Sequence, residues 1–223
     1  MDRVGTTIRA PPGNAILKNA TQVFLRRLPL TLIAAIVVWL LLRPAIDWAV
    51  AGFAQTLIRS FEYPRVTRLV VQDHRVQMRR SDLRTDSNIP SVSMTEISFN
   101  TIVLLALYLA LPRPFSRRQL ERLFMGCCLL YLSQAMNLVF HVKTFYATGL
   151  GEWSQQFYSE FARNVFGFCR YFTDLPGRFS FPFLIWLGFN WVVVMRMLGI
   201  SEEEEKTLRP ASKRKRKKLR VKS

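Results

Sequence analysis

The residues able to carry chemistry are few and scattered. His74 and His141 are the only histidines, and Cys127, Cys128 and Cys169 the only cysteines. A cysteine nucleophile needs a base and an oxyanion donor beside it. The best available set is Cys169 with Arg170 and His141, although no spacing forces the three together. That set is the basis for one functional alternative, a membrane-embedded cysteine-dependent enzyme. The competing reading makes Cys169 an apolar residue on a helix at the membrane surface. There is no glycine-rich phosphate loop, no Cys or His pair at metal-ligand spacing and no nucleophile elbow, so the sequence assigns no catalytic residue, cofactor or metal. The odd cysteine count, with Cys127 and Cys128 inside an apolar run, argues against a disulfide scaffold.

The remaining polar groups of interest lie inside apolar segments. Ser133, Asn137 and His141 recur at every fourth residue and share one helix face, with Gln134 alongside. Lipid offers no hydrogen-bond partner, so such a face must meet protein or water. It reads either as glue between helices or as a lined path or ligand site closed by Lys143, the basis for a small transporter or channel subunit. Asn190 is the one mid-helix polar group of the last apolar run, and the face from Ser133 to His141 is its nearest set of partners. Arg43 and Asp47 are spaced i,i+4, so each can neutralise the other while Arg43 snorkels toward the headgroups. Ions inside a membrane segment are functional suspects by default, and both readings stay open for this pair.

These residues must be positioned by membrane helices. Half of the 223 residues are hydrophobic and they cluster in blocks. The blocks predict an all-α integral membrane protein: four transmembrane helices, a short extracytoplasmic β-hairpin and an amphipathic interfacial helix. Residues 1–27 read as a cytoplasmic arm, with Pro11-Pro12-Gly13, followed by a juxtamembrane helix capped by Asn14. Residues 28–58 hold the first span, 59–96 an extracytoplasmic segment, 97–111 the second span, 112–122 a basic cytoplasmic loop and 123–143 the third span. Residues 144–178 form an extracytoplasmic segment, 179–198 the fourth span and 199–223 a disordered basic tail. A cleavable leader is disfavoured despite Ala49-Val50-Ala51, because a long polar stretch precedes the apolar run and Arg43 and Asp47 lie ahead of the cut.

Within the first extracytoplasmic segment, β-branched residues around Asp73-His74 predict two strands, 65–72 and 75–80, joined by a tight turn. Pro112 and Pro114 end the second span, and Ser116 with Gln119 forms a capping box for the third. In 144–178, Trp153, Phe157, Phe161, Val165, Phe168 and Phe172 recur every three or four residues. They predict a single helix with an aromatic stripe anchored among headgroups.

The charge sets the orientation. The net charge is +17, with basic residues flanking the apolar runs: five before the first, four between the second and third, and eleven from Arg196 onward. Basic flanks are retained in the cytoplasm, so both termini are expected there, in a bacterial inner membrane. If 97–111 failed to cross, Arg113, Arg117, Arg118 and Arg122 would break that bias. Lys213, Arg214, Lys215, Arg216, Lys217 and Lys218 are expected to contact anionic lipid, at about 1 kcal/mol each. An acidic protein is a rival partner for the tail. The absence of aromatics after Trp191 weighs against nucleic acid.

The order of blocks resembles the small integral membrane proteins associated with exosortases, bacterial membrane cysteine transpeptidases that handle C-terminally tagged exported proteins. The resembling parts are a basic start and first span, the strand-like RVTRLVVQDHRVQMRR, MTEISFNTIVLLALYLALPRP, a basic turn, a third span ending FHVKTF, and an aromatic segment. The resemblance implies an accessory role beside a larger envelope machine for protein sorting, secretion or polymer export, and it assigns no catalytic residue. The expected partners are membrane lipids and another integral membrane protein or a second copy of the chain.

Overall fold

The computed structural model describes the backbone of residues 13–81 and 89–197 and the side chains of 21–81 and 89–195. In chain order the elements are α1 (Gly13–Ser60), β1 (Thr67–Gln72), β2 (Arg75–Arg80), β3 (Ser91–Ser93), α2 (Met94–Ser98) and α3 (Asn100–Leu109). Then come α4 (Arg117–Thr148), α5 (Glu152–Phe157), α6 (Glu160–Phe172), a π-helical turn (Thr173–Gly177) and α7 (Arg178–Met197). Two compact units result: residues 28–189, and the terminal segments 1–27 with 190–223. The described part of the terminal unit is the start of α1 and the end of α7, where Asn190 is fully buried at a kink (φ −115°, ψ 16°).

Among the described residues, three helical runs are long and apolar enough to cross a membrane: Thr21–Ser60, Arg117–Thr148 and Glu160–Met195. Met94–Leu109 is apolar but shorter. At 1.5 Å per residue it rises about 24 Å, less than a hydrocarbon core of roughly 30 Å, so length alone does not make it the expected second span.

Several boundaries differ from the sequence reading. α1 starts at Gly13, which puts Asn14 inside its first turn. Ser116 sits at the N-cap of α4 without a side-chain capping bond. The aromatic stretch is two helices, because Tyr158 is extended and Ser159 caps α6 by accepting from the Ala162 N–H at 3.3 Å. Pro176 does not end the run: it falls in the π turn, whose wider register accommodates a missing N–H, so the helix runs on from Glu160 into the last apolar block.

Within residues 28–189, α1 and α3 run antiparallel. Thr31 Oγ1 donates to the Ala106 carbonyl (3.1 Å) and Trp39 Nε1 to Ser98 Oγ (3.3 Å), around a small core of Ala35, Trp39, Ile102 and Ala106. The short connection after Leu109 brings α4 back, with Tyr108 Oη donating to the Arg122 carbonyl (3.1 Å). α4 therefore runs alongside α1 in the same direction, and Tyr131 Oη reaches the Ala49 carbonyl (3.0 Å).

The strands form an antiparallel sheet in the order β1-β2-β3. The expected hairpin is present with Leu69 opposite Met78 and Gln72 opposite Arg75. Asp73 (φ 49°) and His74 (φ 58°) both take the left-handed conformation that a two-residue type I′ turn requires. β3 was not anticipated: at three residues it carries no readable alternation, and Val92 pairs with Val76. The sheet presents Leu69, Val71, Val76, Met78 and Val92 to the main core, where they meet Val50, Ala54 and Ile58 of α1 and Leu138, Val142 and Tyr146 of α4. A lone hairpin is marginal in water, and this packing is what holds it. Ala54 has no exposed surface at this junction. We expect Ala54→Leu to overpack it, costing about 2 kcal/mol as a lowered thermal midpoint of the detergent-solubilised chain.

Candidate functional site

Asp47 is the buried anchor of the sheet. Its side chain lies at 1 % exposure on α1, where the i,i+4 rise sets Arg43 one turn away with Nε 3.9 Å from Asp47 Oδ2. The closer partner is His74, whose Nδ1 lies 2.9 Å from the same oxygen. The hairpin turn delivers that imidazole: six-residue strands reach about 20 Å, the same distance that α1 covers between Asp47 and Ser60. The hairpin thus folds back along α1 and its tip lands on the carboxylate. The His74 carbonyl also accepts the Met94 N–H (3.0 Å), which ties the tip to the start of α2. Arg43 stacks 5.2 Å over the Trp39 ring and donates to Thr95 Oγ1. Asp47 Oδ1 and Arg43 Nε are buried with no hydrogen-bond partner among the described residues. His74 itself is half exposed.

A second carboxylate, Asp174 in the π turn, organises the polar face of α4. His141 Nε2 lies 2.8 Å from Asp174 Oδ1, Arg170 Nε is 3.6 Å from Oδ2, and the Asn137 amide also bonds the carboxylate. Arg178, one helical turn on, reaches Asp174 at 3.9 Å and Glu96 at 3.5 Å. Gln134 turns to the other side and donates to Asn100 Oδ1 (2.7 Å) and Thr101 Oγ1 (2.8 Å). Ser133 is half-buried on the same helix. The face expected from Ser133, Gln134, Asn137 and His141 is therefore split between α3 and the π turn.

The other end of the sheet is pinned by hydrogen bonds. Thr67 donates from its backbone (3.0 Å) and hydroxyl (2.7 Å) to Glu62, and its hydroxyl also lies 2.9 Å from Tyr146 Oη. Arg59 and Gln55 of α1 bond the Thr67 carbonyl and the Leu69 N–H (2.8 and 2.7 Å), so α1 side chains blunt that edge of the sheet. Arg80 lies over the rings of Tyr146 (4.9 Å) and Trp153 (4.4 Å). Burial pushes the nearby Tyr158 hydroxyl above its ordinary range, and the Arg80 charge opposes that rise.

Trp153 therefore turns toward the sheet and stacks on Phe157 (4.8 Å), whereas Phe157, Phe161, Phe168 and Phe172 remain exposed. Of the set Cys169, Arg170 and His141, the structure brings His141 and Arg170 together on Asp174, and the Cys169 carbonyl accepts from Thr173 Oγ1 (2.9 Å). Among the described residues no group of three His, Cys, Asp or Glu side chains could hold a metal. Lys213, Arg214, Lys215, Arg216, Lys217 and Lys218 lie outside the described residues. Sequence reasoning did not anticipate His74 as the partner of Asp47 or Asp174 as the partner of His141.

The architecture is that of a membrane protein whose apolar helices carry a small sheet, with its buried ions used in contacts between elements. A family model of exosortase H-associated membrane proteins matches residues 18–192, and the chain belongs to that family. No curated protein and no solved structure matches it.

Removing the Asp47 carboxylate strands Arg43 and frees the hairpin tip. We expect Asp47→Ala to destabilise the chain by about 3 kcal/mol and Asp47→Asn, which keeps an acceptor for His74, by less. Denaturant titration in detergent micelles checks this, and equal losses in the two variants would show that the acceptor kept for His74 carries no weight beside the charge.

Proposed function

We propose that the chain is a non-enzymatic accessory subunit of an exosortase-linked protein-sorting machine in the bacterial inner membrane. It crosses four times, keeps both ends cytoplasmic and presents the sheet on the far side. The observation that carries this reading is the use made of the polar residues. His141, Arg170, Asn137 and Gln134 are engaged by Asp174, Asn100 and Thr101, which supports interhelical packing over a lined pathway and over a cysteine nucleophile. Membership of the exosortase H-associated family supports a membrane partner.

The four-crossing topology draws on depth as well as charge. Contacts of α2 and α3 with α1 begin at Arg43–Thr95 and end at Thr31–Ala106, so the short helix covers nearly the same layer as the first apolar run. The Arg-rich turn after Leu109 then falls level with the start of that run. A thin crossing packed between α1 and α4 fits these contacts, and hydrophobic mismatch of a few ångströms costs only fractions of a kcal/mol per ångström.

Two measurements test the proposal. Mild-detergent extraction at native expression should recover the chain with a larger membrane protein of the sorting machine, and recovery as a lone monomer would overturn the accessory role. In a background without native cysteines, Ser87→Cys and Gln155→Cys, the latter at an exposed position of α5, should react with an impermeant maleimide from outside the inner membrane and Ser116→Cys should not. Labelling of Ser116→Cys from the same side as Ser87→Cys would remove the second crossing.

A further inference from the structure

One face of the sheet packs on the helices, and the other carries arginines that form no ion pair among the described residues. Arg68, Val70 and Gln72 of β1 alternate with the core-facing residues, as do Arg75, Gln77 and Arg79 of β2. Arg68 pairs directly with Arg79 across the strands. Like charges in that register destabilise a sheet, and neither β1, β2 nor β3 contains an acidic residue to offset them. The hairpin's own acid, Asp73, sits at the tip, at the opposite end of the strands from this pair.

Two of these guanidiniums, those of Arg79 and Arg75, are also held in place. Arg79 donates to Gln77 Oε1 (2.8 Å), and Gln77 in turn donates to Gln72 (3.0 Å). Arg75 Nε donates to Ser91 Oγ (3.0 Å). Each of these arginines is tethered through one nitrogen to a neutral side chain, which leaves the rest of its donor fork available. Side chains ordered in advance lose less entropy on binding. Guanidinium forks match carboxylates in a bidentate geometry.

We infer that this face is a docking surface for an acidic peptide segment, read by Arg68, Arg75 and Arg79. The inference deepens the accessory reading and rests on it for the side of the membrane on which the partner lies. Headgroups of the chain's own membrane are a poorer fit. The hairpin tip meets Asp47 inside the first apolar run, so headgroups at that level reach Arg75, while Arg68 and Arg79 stand about 13 Å further along the strands.

The test uses the full chain in nanodiscs of zwitterionic lipid and a fluorescein-labelled peptide rich in Glu and Asp, followed by anisotropy across a salt series. Arg68→Gln/Arg79→Gln should weaken binding about tenfold and flatten its salt dependence. Arg68→Lys/Arg79→Lys should bind between the two, since it keeps charge and loses the fork. The glutamine variant should melt no lower than the native chain, because a like-charge pair has been removed, so weaker binding cannot be ascribed to unfolding. A variant with residues 213–218 changed to Gln isolates the contribution of the tail. If the glutamine variant binds as tightly as the native chain, or if only the tail variant loses binding, the inference fails. It fails equally if Arg68→Gln/Arg79→Gln reduces capture by phosphatidylglycerol vesicles while peptide binding is unchanged, which would assign the face to lipid. The assay contains no exosortase and does not depend on orientation, so failure here leaves the accessory role standing, and a lone monomer on extraction leaves this surface standing.

Discussion

A carboxylate inside an apolar layer must be partnered or it costs several kilocalories per mole, and Asp47 is buried beside the helix that carries it. That requirement fixes the placement of the sheet. Arg43 alone approaches at 3.9 Å, whereas the hairpin brings His74 to 2.9 Å. Once the tip is there, a strand of six residues has only the last turns of α1 to lie along. Val76 and Met78 then face the core, and Thr67 falls within reach of Glu62 and Tyr146.

Asp174 imposes a comparable constraint on the helices. It gathers His141 and Asn137 from α4, Arg170 from α6 and Arg178 from α7, so three helices meet at one acidic side chain. The two sites differ in exposure. His141 is 8 % exposed on a helix, whereas His74 is held at a turn with its side chain 45 % exposed. His141 is thus enclosed among helices, whereas His74 lies at the open end of the hairpin.

What could be read from the sequence was local. Asp73-His74 between β-branched runs located the hairpin, the i,i+4 spacing located Arg43 beside Asp47, and a four-residue repeat placed Ser133, Asn137 and His141 on one face with Gln134 alongside. What could not be read was the partner of each polar group. His74 and Asp47 are separated by 27 residues, and His141 and Asp174 by 33, so no periodicity connects them. The aromatic spacing continued across Tyr158 although the backbone did not, because a capping Ser159 breaks a helix without disturbing the pattern of rings. That the helix enters the last apolar block from Glu160 rather than starting near residue 179 could not be read, because a π turn leaves no mark in composition. Alternation alone could not tell which strand lies opposite and brings Arg68 against Arg79.

An apolar pair of equal volume at positions 47 and 74 would hold the sheet on α1 with comparable energy, since buried ion pairs break even at best against hydrophobic packing. It would not hold it at one depth. Apolar surfaces slide past each other at little cost, and a one-residue slip of a strand turns every side chain to the opposite face. Here such a slip would bury Arg68, Arg75 and Arg79 against the helices and expose Val76 and Met78. The carboxylate forbids it, because only one position of the hairpin tip satisfies Asp47. The Asp47–His74 contact thus contributes register more than affinity, and the register keeps a row of guanidiniums facing away from the core.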